Sequence, residues 1–283
     1  MGRAWVLNLD AEDELAHGRA HTPAAAIVER VQRLIPTLSV LAPGDVVVFP
    51  GDARADGLPG VAWSPTRWAL EQLQKSGAIV PPAPSMDVLR KVNHRRFSHD
   101  LGTFLPNAAY VTTAVELLTH LQLDRDAWWV AKRPFAYAGR GRKRLRFAQL
   151  NDSERAWIDA SFRDGEGVQL EPWVNRTTDC ALHGEISMSG DVTLGAPTLQ
   201  ELDQFGAWLA SRRAEPGELT AFEVDQLVTE AKKTADALKI AGYFGPFGID
   251  GFRWTDSHGA HFQPRSEINA RYSMGWAVGM LNR

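Results

Sequence analysis

A group of polar residues near the C-terminal end of the chain has the types and spacing expected of a metal site. Residues 248–252 and 265–271 predict two strands, joined by the turn-forming residues 255–259. Side chains alternate between the faces of a strand, so every second residue shares one face. The residues predicted on one face of the second strand are Arg265, Glu267, Asn269 and Arg271.

The chemistry of this face suits a hard cation. Asp250 on the neighbouring strand can join Glu267 and Asn269, which gives two carboxylates and an amide oxygen. All-oxygen ligation of this kind suits Mg²⁺, which usually also holds substrate phosphates. The arginines would then face the negative charge beside the metal. A solvated strand face is the alternative interpretation, and the matched charges make it the less favoured one.

Two further segments could contact a nucleotide. Lys132 ends a buried-looking strand and is followed by a loop that contains Gly139, Arg140 and Gly141. A lysine beside a glycine turn can place an ammonium and backbone N–H groups on phosphate oxygens, although a basic surface hairpin fits this segment equally well. The second segment is a strand that ends at Glu171 and continues into a short linker.

This linker contains Trp173 and Val174. Its backbone N–H and C=O groups can pair with the edge of an adenine while the indole packs on the ring. A plain strand–loop junction with a core tryptophan is the alternative, and it is favoured when the segment is considered alone.

The whole composition is that of a globular protein in a reducing compartment. The net charge of −3 excludes a polybasic nucleic-acid binder, and the single Cys180 excludes an intrachain disulfide or a cysteine-based metal cluster. Acidic residues follow Met1 too soon for a signal peptide. No apolar run approaches the roughly 20 residues of a membrane span. We expect a cytoplasmic protein with no membrane or nucleic-acid partner, and a homodimer is the default assembly.

The elements that must position these residues form three stretches. Strands are predicted at 3–9, 45–49 and 78–80, with helices at 23–35 and 64–77, which indicates a small parallel α/β unit. The proline-rich residues 81–84 form a natural boundary. The predicted elements of the second stretch are a helix at 85–101, a strand at 109–111, a helix at 113–121, and strands at 127–132 and 144–147.

The third stretch begins with a strand at 168–171. A hairpin follows over 179–196, turned at Ser189 and Gly190, while residues 198–219 give no clear pattern and are expected to be mobile. Thr220 and Glu223 have the spacing of a capping box for a helix that ends at Ala241.

The order of these pieces resembles the ATP-grasp superfamily, in which two α+β subdomains clamp ATP. The resemblance spans about residue 85 to the C-terminus, and the preceding unit looks like the N-terminal α/β domain of that family. It implies an α/β and α+β fold with three parts: residues 1–84, a small ATP-grasp subdomain at 85–170, and a C-terminal subdomain at 171–283.

The resemblance also implies roles for particular residues. Lys132 would contact the nucleotide phosphates, under a loop formed by Gly139, Arg140 and Gly141. Arg95 stands where the family usually has a lysine. The adenine hinge would be Glu171, Trp173 and Val174, with Asp179 at the ribose. Mg²⁺, or Mn²⁺ in its place, would bind Asp250, Glu267 and Asn269. The catalytic residues implied are Arg271, Lys132 and Arg253.

The expected activity is that of an ATP- and Mg²⁺-dependent ligase. By the resemblance, a substrate carboxylate attacks the γ-phosphate of ATP, and an amine or thiol then displaces phosphate from the acyl phosphate. The substrates would be a small-molecule carboxylate and amine. Two alternatives stay open: a kinase-like phosphotransferase, and a protein that binds or senses ATP without turnover.

Overall fold

The computed structural model describes residues 2–18, 21–52, 54–135, 141–202 and 208–281. The first part of the chain forms a sheet of three parallel strands. β1 (Ala4–Val6) lies between β2 (Val46–Val47) and β3 (Gly60–Ala62). The helices of this part are α1 (Ala11–His17), α2 (Ala25–Leu34) and α3 (Arg67–Lys75). The parallel α/β arrangement is as expected, because parallel neighbours need crossover connections.

Two details of this part differ from the sequence-based predictions. The third strand is β3 at residues 60–62, and Ile79 forms only an isolated parallel bridge with Pro59. Gly60 permits this close approach, since a Cβ there would lie 2.7 Å from the Ile79 carbonyl oxygen. Helix α1 was not predicted, and its first turn is acidic, yet Glu12 and Glu14 are buried.

The second part is an antiparallel sheet of four strands in the order β4-β7-β5-β6. The strands are β4 (Ala109–Val111), β5 (Trp129–Lys132), β6 (Arg142–Leu145) and β7 (Val168–Pro172). The helices are α4 (Met86–Asn93), α5 (Arg95–Asp100), α6 (Ala114–Gln122) and α7 (Asp152–Ser161). The single helix predicted at 85–101 is therefore two helices. His94 is extended between them, and its imidazole accepts a hydrogen bond from the Arg96 amide of α5.

The third part is an antiparallel sheet of six strands, in which β11-β10-β8-β12-β13 form the main path and β9 pairs with β8. The strands are β8 (Asn175–Ile186), β9 (Val192–Leu194), β10 (Thr198–Leu202), β11 (Trp208–Arg213), β12 (Gly245–Asp256) and β13 (Gly259–Asn269). The prediction of a mobile segment at 198–219 is wrong for β10 and β11, which extend the sheet there, while residues 203–207 lie outside the described part of the chain.

Helix α8 (Ala221–Ile240) covers one face of this sheet. Thr220 and Glu223 form the predicted capping box at its start. Leu227 and Ala231 of the helix share a buried cluster with Phe247 and Ile249 of β12. In the described part of the chain, no helix combines the length and the apolarity that crossing a membrane requires.

The segment after β13 returns to the first part of the chain. It contains the short helix α9 (Trp276–Met280). Tyr272 donates its backbone N–H to the Trp63 carbonyl at 3.0 Å, and its ring makes an edge contact with Trp5. Trp276 belongs to the same buried cluster as Trp5 and Trp63. The C-terminal segment therefore completes the core beneath the parallel sheet.

Candidate active site

The hairpin of β12 and β13 brings together the three residues predicted as metal ligands. Asp250 and Glu267 are directly opposite each other in the antiparallel register. The Asn269 Nδ2 atom donates to Asp250 Oδ2 at 2.9 Å, and Gln200 Nε2 donates to Asp250 Oδ1 at 2.8 Å. We call Asp250, Glu267 and Asn269 the acidic cluster.

The electrostatics of the acidic cluster favour a cation. Burial, and then the neighbouring Glu267 carboxylate, raises the pKa of Asp250 to about 6. The described residues hold no group of three or more His, Cys, Asp or Glu suited to a metal. Two carboxylates and one amide oxygen make a small ligand set, which fits an ion such as Mg²⁺ that keeps waters and phosphates as further ligands.

Arg271 lies beside the acidic cluster but is held by another residue. Its Nε donates to Glu12 Oε1 at 2.6 Å, and the guanidinium and the carboxylate are both largely buried. Burial alone would lower the pKa of Arg271, but Glu12, Glu267 and Asp250 together raise it. The guanidinium is thus close enough to both cluster carboxylates to interact with their charge.

Arg95 contacts the acidic cluster from the start of α5. Its Nη2 donates to Glu267 Oε1 at 3.0 Å, and its Nε donates to the Arg133 carbonyl at 3.1 Å. The remaining nitrogen, Nη1, is buried and has no hydrogen-bond partner among the described residues. A buried donor without a partner is unfavourable, so this nitrogen can bind an anionic ligand at little further cost.

Lys132 and Glu171 form a buried ion pair in the small sheet. Lys132 Nζ lies 2.6 Å from Glu171 Oε2, and Gln169 Nε2 donates to the other carboxylate oxygen at 2.6 Å. Burial lowers the pKa of Lys132, although Glu171 opposes this shift. The two residues that were assigned to phosphate and to the adenine hinge are therefore in direct contact.

The linker between β7 and β8 is only partly arranged as predicted. Trp173 is 52% exposed, so it is not a core residue. Its backbone N–H donates to the Trp128 carbonyl at 2.8 Å, which leaves that amide unable to pair with a base. The Arg144 guanidinium lies 4.4 Å from the Trp173 ring centroid. Val174 is half-buried in the linker.

Arg253 and Arg265 do not join the acidic cluster. Arg253 makes a two-nitrogen ion pair with Glu223 of α8, at 2.7 and 2.6 Å. Arg265 is 3% exposed and pairs with Glu230 of the same helix at 2.7 Å. The prediction that Arg265 shares a face with Glu267 is wrong, because the register of β13 shifts between Glu267 and Gln263 and Arg265 lies within that shift. The pairing with α8 likewise leaves Arg253 without a place among the catalytic groups.

The remaining predicted residues are those of the phosphate loop and Asp179. Gly139 and Arg140 lie outside the described residues. Gly141 has φ +70°, and its carbonyl accepts the Arg133 N–H at 2.8 Å. Asp179 is half-buried on β8 and pairs with Arg176 at 3.2 Å.

Two residues of the site were not found from the sequence. Gln200 was missed because β10 was not predicted. Glu12 was missed because nothing in its own segment links it to Arg271, which is 259 residues away. The only available signal was a run of acidic residues at the start of α1, which is also typical of an ordinary helix N-terminus.

Comparisons with known proteins find similarity in structure alone. No protein-family model matches the sequence. No curated protein matches it either. Biotin carboxylase from Campylobacter jejuni, in a βγ-ATP complex, aligns with a TM-score of 0.58 and 13% identity over 99% of this chain and 72% of that one.

Two other solved structures are similar to a comparable degree. N5-carboxyaminoimidazole synthetase from Staphylococcus aureus, with ADP, has a TM-score of 0.53 and 12% identity over 96% of this chain and 71% of that one. D-alanyl-alanine synthetase A from Vibrio cholerae has a TM-score of 0.53 and 12% identity over 95% and 89%. At such identities the similarity establishes the fold.

Proposed function

The chain has the ATP-grasp fold of these enzymes, and on that premise we propose that it is an ATP- and Mg²⁺-dependent ligase. The reaction joins a small-molecule carboxylate to an amine, or to a thiol, through an acyl phosphate. The observation that carries this proposal is the acidic cluster. Asp250 and Glu267 face each other with two arginines beside them, which is the charge pattern expected where a metal and transferred phosphate meet.

The acidic cluster fits the metal that this chemistry requires. Among the described residues, Asp250 receives hydrogen bonds from the neutral amides of Gln200 and Asn269 alone, and it faces the like charge of Glu267. A divalent cation held by Asp250, Glu267 and Asn269 would neutralise this charge and the oxygens of the ATP phosphates.

The surrounding residues supply the positioning that phosphoryl transfer needs. Arg95 offers its unpartnered Nη1 to a phosphate oxygen. Lys132 binds phosphate by giving up part of its contact with Glu171, because phosphate carries more negative charge than a carboxylate. Arg271, oriented by Glu12, stabilises the negative charge that develops on the acyl phosphate and orients the substrate carboxylate.

The nucleotide base is proposed to lie against the linker between β7 and β8. The Glu171 and Val174 backbone groups would read the base edge, with Asp179 at the ribose. Trp173 takes no part through its amide, which is already bonded to the Trp128 carbonyl.

The deciding measurement is ADP release from MgATP with pools of carboxylates, with hydroxylamine as the acceptor. We expect carboxylate-dependent ADP release and a hydroxamate product, because hydroxylamine traps an acyl phosphate. A phosphorylated product that needs no acceptor would instead establish the kinase-like activity. Binding of MgATP with no turnover in any pool would contradict the ligase assignment.

The matched variants for this assay are Glu267→Ala and Glu185→Ala. Loss of Glu267 should lower turnover by about 10³-fold, since it removes a metal ligand and the partner of Arg95. Glu185 is exposed on β8 of the same sheet, and its loss should leave turnover unchanged. Full activity of Glu267→Ala would show that the metal assignment is wrong.

A further inference from the structure

A second cavity lies in the first part of the chain, outside the proposed ATP site. It is formed where β1 and β2 end, between α2 and the start of α3. Open parallel sheets bind ligands beyond the carboxyl ends of their strands, so this is the expected place for a ligand in such a unit. The apolar residues that line it include Ile27, Val28 and Val31 of α2, together with Phe49 and Trp68.

One buried acidic residue, Asp10, is part of the lining of this mostly apolar cavity. Asp10 is 1% exposed, and its Oδ2 lies 3.0 Å from His21 Nε2. Its Oδ1 is buried and has no hydrogen-bond partner among the described residues. Burial raises the pKa of Asp10. A buried carboxylate oxygen without a donor is costly, and a ligand that supplied a donor would relieve that cost.

The other polar groups of the cavity wall are already used. The Asn8 amide donates to the Ser64 carbonyl at 2.9 Å and accepts the Ser64 N–H at 3.1 Å. Among the described lining residues, Asp10 has the only buried side-chain oxygen that lacks a partner. A metal ion would need several oxygens, and an anion would be repelled by Asp10, so a single ammonium group beside an apolar body is the matching chemistry.

We propose that this cavity binds a small ligand that carries a protonated amine on a compact apolar group, with the ammonium on Asp10. The enclosed part of the cavity is only about 20 Å³ and opens to solvent, which limits the ligand to an ammonium end inside and a few carbons at the mouth. If the proposed ligase function holds, on which this step rests, the ligand is one of the two organic substrates. Asp10 lies two residues before Glu12, which contacts Arg271 beside the acidic cluster.

The test is direct binding of isobutylamine in the absence of nucleotide, by ligand-observed NMR or calorimetry at pH 7. Isobutanol is the matched neutral ligand, because it replaces the ammonium by a hydroxyl on the same carbon frame. We expect a dissociation constant on the order of 1 mM for the amine, as befits a ligand of so few atoms, and at least about tenfold weaker binding of the alcohol.

Three variants locate the binding. Asp10→Asn should weaken amine binding at least about tenfold, towards the affinity of the alcohol. Glu29→Gln removes an exposed charge from α2 and should bind like the wild type. Val28→Trp fills the half-buried edge of the cavity and should abolish binding of both ligands. Thermal unfolding of each variant establishes that it is folded.

Equal affinity for amine and alcohol would overturn the ammonium assignment, and no binding of either would overturn the cavity as a ligand site. Neither result bears on ATP turnover, because no nucleotide is present. Conversely, amine binding that depends on Asp10 in a protein without ADP release would support the cavity while contradicting the ligase.

Discussion

Asp250 is a carboxylate that the free protein holds in an unfavourable environment. Its two hydrogen-bond donors are neutral amides, and they do not offset burial and the adjacent Glu267. In metal sites, neighbouring carboxylates commonly repel each other in the same way, and the bound cation removes this repulsion. The raised pKa of Asp250 therefore indicates a site that binds a cation.

The raised pKa of Asp250 predicts a specific pH dependence of stability. The pKa of Asp250 is about 6 in the folded protein, against 3.8 for an ordinary aspartate, so the folded state binds this proton more tightly. The stabilisation that comes from this proton on Asp250 is fully present at low pH, and it is lost as the pH rises through about 6. Between pH 4.5 and 7, wild-type stability should fall by about 2 kcal/mol relative to Asp250→Asn.

Urea denaturation of the nucleotide-free proteins at several pH values measures this difference. Comparison of the two proteins at each pH cancels the titration of groups that they share. A difference in the free energy of unfolding that stays constant with pH would show that Asp250 titrates normally in the folded state.

At the scale of elements, the register shift in β13 decides which side chains meet. Asp250 pairs with Glu267, but Phe252 pairs with Gln263, so β13 has two more residues than β12 over this interval. Gly251 makes this possible, since a Cβ there would lie 2.8 Å from the Gln263 carbonyl oxygen and 3.0 Å from that of Pro264. The shift turns Arg265 towards α8 and leaves Glu267 opposite Asp250.

Gly251→Ala should therefore destabilise the hairpin that carries the acidic cluster. Both neighbouring atoms belong to the backbone, and they can move only if the strand pairing moves with them. We expect a loss of about 1–3 kcal/mol in the free energy of unfolding, measured by urea denaturation. Ala260→Val adds volume at an exposed position of the same hairpin and should change stability by less than about 0.5 kcal/mol.

The sequence predicted those elements that carry their own local signals. Turn residues at 255–259 and the spacing of Thr220 and Glu223 were sufficient for the hairpin and for α8. Residues 198–219 lacked such a signal, because β10 and β11 are defined by pairing with β8 rather than by their own pattern. Both the opposition of Asp250 and Glu267 and the burial of Arg265 depend on the register shift, for which the sequence has no local motif. The pairing of Phe252 with Gln263, continued without the shift, would place Arg265 opposite Asp250.

At the scale of the whole molecule, the Glu12–Arg271 pair joins the first helix to the segment after the last strand. The two residues are 259 positions apart, and both side chains are largely buried. The pair positions a proposed catalytic arginine by means of a residue from a different part of the chain. The proposed site is therefore incomplete without the N-terminal unit.

Glu12→Ala should destabilise the protein by about 3 kcal/mol or more, because it removes the carboxylate that is directly hydrogen-bonded to the buried Arg271. Urea denaturation measures the loss. Arg54→Ala breaks the exposed pair with Asp52 in the same unit, and it should cost less than about 1 kcal/mol.

The double variant Glu12→Leu/Arg271→Leu should recover much of the stability that Glu12→Ala loses, since both charges of the buried pair are then removed together. If Glu12→Ala cost no more than Arg54→Ala, the pair would not connect the two parts of the chain energetically.

The packing of Tyr272 and Trp276 against Trp5 and Trp63 also bears on how the protein is made in the cell. The first unit leaves the ribosome long before the residues that cover its apolar face. Roughly 200 residues separate Trp63 from Trp276, which corresponds to about 10–40 s of synthesis at ordinary elongation rates. During that interval the nascent chain exposes tryptophan side chains, so the early unit is a natural client for chaperones that hold unfinished proteins.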